Sequence, residues 1–158
     1  MEDFEGKSTA ELLTLHAAVM EELRKRNVLR SANSPTGDLA EYLFCAAFGW
    51  MQAANSVKAY DATYCDGIKY QIKGRRIHRR NKSRQLSAIR DLEGFDYLPA
   101  VLFDDDFNVR RAALIPAITV KERSVYVAQT NSYKFVMRDA IWDMPNVLDV
   151  TDQLHAVS

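Results

Sequence analysis

Apolar positions recur at helical spacing near the start of the chain. Over residues 8–27, Leu12, His16, Val19 and Leu23 form one stripe, flanked by Leu13 and Met20; this is the period of an amphipathic helix. Ser8 with Glu11 three residues on fits a capping box at its start. RNVLRSANSPTG then reads as a connection. From Gly37 to Phe48, Leu39, Tyr42, Leu43, Cys45, Ala46 and Ala47 are apolar almost all round, which predicts a second, well-buried helix stopped by Gly49. The period then changes. VKAYDATYC and IKYQIKGRR are β-rich runs around Cys65-Asp66-Gly67, a hairpin signal. YLPAVLF (97–103) suits a strand buried on both faces. Asp104-Asp105-Asp106 makes a turn, and VRRAALI (109–115) a further strand. A helical turn is expected over 116–123, strands over 125–129 and 133–136, and short helices near 87–91 and 138–142. This order predicts an α/β fold with a mixed central sheet flanked by helices. His16 is expected as a core or boundary residue, Cys45 as an inert small hydrophobe, and Trp50 and Trp142 as packing residues.

Composition narrows the picture. The 158 residues suit a single domain over 1–158, with N-terminal helices over 8–48 and strands and a helix continuing to residue 158. At 47% hydrophobic residues the chain is too apolar for disorder. No apolar run approaches the roughly 18 residues of a membrane span, and MEDFEGKSTAE does not have the pattern of a secretory signal. Cys45 and Cys65 make neither a disulfide framework nor a zinc pattern. These features lead us to expect a reduced, cytoplasmic chain with no membrane partner.

Charge changes the picture more. Lys+Arg and Asp+Glu are equal at 21 each, yet Gly67 to Arg90 contains nine Lys or Arg and no acid, leaving a net of −9 on the remaining 134 residues. Such asymmetry points to a polyanion partner. Arg75, Arg76, Arg79, Arg80, Lys82 and Arg84, with His78 among them, are the candidates to hold backbone phosphates, which gives salt-dependent, sequence-independent affinity.

The strand before this run alternates: Ile68, Tyr70 and Ile72 on one face, Lys69, Gln71 and Lys73 on the other. What faces them depends on the turn. A two-residue Asp66-Gly67 loop sets Ala62 opposite Gln71 and turns Asp61 away. A three-residue Cys65-Asp66-Gly67 loop, with Gly67 left-handed, pairs Tyr64 with Ile68 and sets Asp61 opposite Gln71 on the Lys73 face. Both loops suit Asp-Gly. The second assembles Asp61, Gln71 and Lys73, whose oxygens suit a hard ion such as Mg²⁺ or Mn²⁺, with the lysine placed to orient water or offset transition-state charge.

YDATYCDGIKYQIKGRR resembles the PD-(D/E)xK nuclease superfamily, the restriction-endonuclease-like fold, and in particular its bacterial members. Asp61 matches the first Asp, Gln71 the middle acidic position and Lys73 the lysine. Gly37 and Glu41 of GDLAE match the helical Glu before the hairpin. The resemblance covers roughly residues 34–118. It implies a Mg²⁺-dependent nuclease hydrolysing DNA phosphodiester bonds, with Asp61, Gln71 and Glu41 as metal ligands and Glu41, Asp61, Gln71 and Lys73 as the catalytic set. Two departures stand out: Tyr60 precedes Asp61 where Pro is common, and Gln71 replaces a carboxylate.

Other readings of the same residues stay open. Asp61 also fits a backbone cap, Gln71 and Lys73 a solvent face, Glu41 a surface ion pair and Asp104–Asp106 a simple turn. Gln71 favours a catalytically inactive nucleic-acid-binding module of the same fold. The acidic remainder suits an interaction protein whose basic strip meets an acidic partner, or a homodimer that buries the strip against Asp104–Asp106. A homodimer also suits double-strand cleavage. RNA, single strands and branched DNA fit the charge as well as duplex DNA does.

Overall fold

The computed structural model describes residues 3–31, 34–54, 57 and 59–158. The described residues form an α/β arrangement with four α-helices and a mixed central sheet. Helix α1 (Thr9–Lys25) begins at the expected capping box: Ser8 Oγ accepts from Glu11 N–H, and Glu11 Oε2 accepts from Ser8 N–H at 2.7 Å. Helix α2 (Pro35–Phe48) starts two residues before Gly37, with Pro35 at its first turn, and ends on Gly49 at φ 68°. Its buried side is narrower than the sequence pattern suggests. Ala40, Leu43 and Phe44 are buried, Cys45 is half-buried, and Tyr42 and Ala46 face solvent. The connection before α2 is described apart from residues 32 and 33.

Of the expected strand from Val57, Lys58 lies outside the described residues. Pairing along it begins only at β2 (Ala62–Thr63), which lies between β1 (Met51–Gln52) and β3 (Lys69–Tyr70). β3 and β4 (Lys73–Arg76) both run parallel to β5 (Tyr97–Phe103) in one register, Tyr70 facing Tyr97 and Lys73 facing Ala100. They are one strand path interrupted at Gln71–Ile72. β6 (Val109–Pro116) is antiparallel to β5, and β9 (Leu148–Asp149) extends the sheet beyond β6. Among the described residues this is a seven-stranded sheet.

Alternation along β5 divides the core. Val101 and Phe103 pack with Ala40, Leu43 and Phe44 of α2 and Leu154 of α4 (Thr151–His155). Leu98, Ala100 and Leu102 pack with Leu86, Ile89, Phe135, Met137 and Trp142 on the other face, with Val120 of α3 (Ala117–Arg123). Two-faced burial explains the continuous apolar run. A small hairpin, β7 (Val125–Val127) and β8 (Ser132–Lys134), stands beside this second face.

Three expectations need correction. Residues 87–91 form no helix: Gln85 and Ile89 make bridges to Val136 and Tyr133, because Leu86 and Ile89 fill the second core face as extended chain. The segment near 138–142 is a 3₁₀ turn over Asp139–Asp143, burying Ile141 and Trp142. His16 is exposed, because α1 buries none of its residues. Among the described residues, no helix is long and apolar enough to cross a membrane.

Candidate active site

The hairpin takes the three-residue loop. Tyr64 N–H donates to Ile68 O, Gly67 lies at φ 85°, and Ala62 faces Tyr70. Burial sets this parity: Ala62 is fully buried, and Tyr70 stacks on Trp50 with ring centroids 3.7 Å apart. A one-residue slip would send both to the opposite face. Continued past Ala62, the register carries Asp61 to the level of Gln71. Asp61 N–H donates to Tyr70 O at 2.7 Å, and the Asp61 carboxylate accepts from Ile72 N–H at 2.7 Å. Asp61 therefore does act as a backbone cap, on the strand that carries its neighbours. This bond accompanies the break in pairing between β3 and β4.

Glu41 reaches the same place from α2. The contact of α2 with β4 depends on Gly74: a Cβ there would lie 2.9 Å from Ala40 Cβ and 3.1 Å from Thr36 O. Only a residue without a side chain lets the first turns of α2 lie this close to the strand of Lys73 and Arg75. Glu41, Asp61, Gln71 and Lys73 consequently line one open cleft of about 1140 Å³, with Arg75, Arg76, His78 and Arg90 also on its walls.

Burial pushes the three titratable groups, Glu41, Asp61 and Lys73, towards their neutral forms. Burial and the neighbouring Asp61 and Asp38 carboxylates push Glu41 up to about 7. Burial also raises Asp61, opposed by the Ile72 N–H bond and by Lys73. A shared proton suits two carboxyl groups held this close. Burial lowers Lys73, with Asp61 and Glu41 acting against it. Lys73 Nζ donates to Ser87 Oγ at 3.0 Å and to Ala88 O at 3.2 Å. Gln71 is 9% exposed, and its Oε1 is buried with no hydrogen-bond partner. An unmade bond of that kind costs about 1–3 kcal/mol.

Two carboxylates and an orphaned amide oxygen are hard donors. They suit an ion that takes oxygen ligands and keeps several waters. Among the described residues there is no cluster of three or more His, Cys, Asp or Glu able to hold a metal.

The basic run is divided rather than uniform. Arg75 and Arg76 line the cleft, while Arg76, His78, Arg79 and Arg80 line an adjoining hollow. Arg75 donates to Ser83 O, Arg76 donates to Asp105 O and lies over the Phe107 ring, and Arg79 pairs with Asp105 at 3.8 Å. Arg84 is bound to Asp139 instead, and Lys82 is exposed outside both hollows. The Asp104 carboxylate closes the expected turn by accepting from Asp106 and Asn108 N–H.

Arg30, Ser87 and Arg90 were not singled out by the sequence pattern. Arg30 stands 3.9 Å from Glu41 Oε2, and Gln52 Nε2 donates to the same oxygen at 3.4 Å. Ser87 holds the lysine. Arg90 alone carried a signal, as the last cation of the acid-free run. Cys45 behaves as expected: burial raises its thiol to about 11.

No family model matches this chain, and no curated protein matches it.

Proposed function

We propose that the protein is a Mg²⁺-dependent nuclease of restriction-endonuclease-like fold that hydrolyses DNA phosphodiester bonds in this cleft. The observation that carries the reading is the unpaired, buried Gln71 Oε1 beside Asp61, Glu41 and Lys73 in a cleft whose remaining cations are arginines. Asp61 and Glu41 would hold Mg²⁺ or Mn²⁺, with Gln71 Oε1 as the neutral third donor. When bound, the ion supplies Lewis-acid charge at the scissile phosphate.

The protein's own groups do the rest. The Ile72 N–H fixes the Asp61 carboxylate, and Arg30, from the connection between α1 and α2, and Gln52 of β1 steady Glu41. Ser87 and Ala88 fix Lys73 Nζ on the cleft wall, where burial makes its proton easier to release. Lys73 orients the attacking water and offsets charge that builds on the phosphate oxygens. Arg75, Arg76 and Arg90 neutralise the nucleic-acid backbone along the cleft, and Arg79 and Arg80 extend that surface into the adjoining hollow. Arg84 contributes less, because Asp139 already neutralises it.

Gln71 also favours a second reading, a catalytically retired nucleic-acid-binding module. Calorimetric titration of Mg²⁺ or Mn²⁺ into wild-type protein and Asp61→Ala, with a plasmid-nicking assay alongside, separates the two. The nuclease reading expects metal binding in wild type, its loss in Asp61→Ala, and nicking that follows it. No metal binding and no nicking in either protein, with DNA binding retained, overturns the nuclease in favour of the module.

A further inference from the structure

Beyond β4 the basic run folds into a short two-stranded ribbon. The strand continues past Arg76: Ile77 N–H donates to Phe103 O at 2.8 Å, and the Ile77 side chain packs on the second core face. His78 and Asn81 then exchange both backbone bonds, at 3.1 and 3.0 Å, around a two-residue loop of Arg79 and Arg80. Arg75 Nε ties the returning chain by donating to Ser83 O at 3.1 Å, and Asn81 Oδ1 accepts from Ser83 N–H at 3.0 Å. At the tip, Asp105 Oδ1 accepts from Arg79 N–H and His78 Nδ1 from Arg80 N–H, each at 3.3 Å. The backbone of the ribbon is therefore held from both sides.

The two side chains at its tip are not held. The Arg79 side chain is 94% exposed, and its 3.8 Å pair with Asp105 is of the exposed kind that contributes little. Arg80 is exposed and makes no ion pair among the described residues. His78 and Asn81, at the root of the tip, line the cleft, so the tip stands at the cleft edge.

A fixed backbone that carries two free guanidinium groups suits a particular target. A bare phosphate needs only charge, which lysine supplies; two acceptors side by side need the planar fork of arginine. The major groove of B-DNA, about 12 Å wide, admits a two-stranded ribbon, whereas the minor groove is only about 6 Å wide. In the major groove guanine presents N7 and O6 together, and arginine donating to both is the commonest base-specific contact. The deep, narrow major groove of an RNA duplex is closed to side chains.

We propose that the Arg79–Arg80 tip enters the major groove of duplex DNA beside the cleft and selects guanine there. The inference rests on the reading of the cleft as a nucleic-acid site, and it names the substrate form: duplex DNA with a G·C preference next to the bond that is cut.

The test is fluorescence anisotropy of the full chain in metal-free buffer, with three labelled duplexes of equal length. One is alternating G·C, one alternating A·T, and one alternating G·C with 7-deazaguanine, which lacks the N7 acceptor. Wild type should bind the first at least about fivefold more tightly than either of the others, the lower end for one bidentate pair. Arg79→Lys with Arg80→Lys should keep the affinity for alternating A·T, because charge is retained, and lose the guanine preference, because the fork is gone. Equal wild-type affinity for all three duplexes overturns the inference, as does a preference that persists in the lysine variant. Tighter binding to alternating A·T overturns the major-groove placement. A guanine preference without nicking in Mg²⁺ supports the inference and overturns the nuclease reading alone. No binding to any duplex overturns the nucleic-acid reading and this inference with it.

Discussion

Helices α1 and α2 are adjacent in sequence and similar in length, yet they stand in opposite relations to the fold. α2 buries Ala40, Leu43 and Phe44 against the sheet and carries Glu41 into the cleft. α1 has the better N-cap and the clearer apolar stripe, yet none of its residues is fully buried. Local signals therefore decide whether a helix forms. They do not decide whether it becomes structural core, a functional wall or a free surface.

The sharpest test of this contrast is functional. Lys73→Ala, behind the α2 wall, should reduce nicking about 10²- to 10⁴-fold, the range for losing a group that handles a proton in the transition state, with most DNA binding retained. Leu13→Ala on α1 should leave the rate per site unchanged. Nicking that survives Lys73→Ala removes that residue from the chemistry.

Stability comes next. Phe44→Ala should cost about 3–5 kcal/mol in urea unfolding, because Phe44 is fully buried and packs against the rings of Phe48 and Trp50. Leu13→Ala under the same conditions should stay within about 0.5 kcal/mol. Equal costs would mean that α1 is packed in solution.

A smaller effect is expected at the contact between α2 and the strand. Gly74→Val should destabilise by about 1–3 kcal/mol through overpacking, and the displacement of Glu41 should weaken Mg²⁺ binding in calorimetry. Unchanged metal affinity would show that the Gly74 contact does not set the position of Glu41.

The mildest test is one of pH. The folded value of Glu41, about 7, lies above its ordinary 4.5. Between those values the folded protein keeps a proton that the unfolded chain has lost, so stability falls as pH rises through that window. Glu41→Gln should therefore raise Tm in metal-free buffer at pH 8, by at least about 2–4 °C, the shift about 1 kcal/mol makes in a domain of this size. Near pH 4 the two proteins should melt together. A Tm difference that is the same at both pH values would mean that the Glu41 proton is not coupled to folding.

Much of the element order was legible because it rests on local rules. Ser8 and Glu11 mark the start of α1, Gly49 ends α2 and the apolar run 97–103 makes β5; each depends on a few neighbouring residues. The misreadings share a cause. The segment expected as a helix near 87–91 stays extended, because Leu86 and Ile89 fill a core face that only the extended chain reaches. His16 lies on an apolar stripe that has no core to face. β9 and α4 are too short to carry a period of their own.

At the site, residue identity was readable and placement was not. Asp61, Gln71, Lys73 and Glu41 are chemically distinctive wherever the chain puts them, and the acid-free run from 67 to 90 is a property of the sequence alone. Ser87 and Arg30 join them through contacts that no local spacing encodes. The pairing of Arg84 with Asp139 spans 55 positions and has no local signal. By itself, then, the sequence determined the helices, the turn chemistry and the reactive groups, because these follow from interactions within a few residues. The tertiary structure decided which of two permitted hairpin loops formed, which helix met the sheet, and which cations stayed available, because each depends on burial summed over residues far apart in the chain.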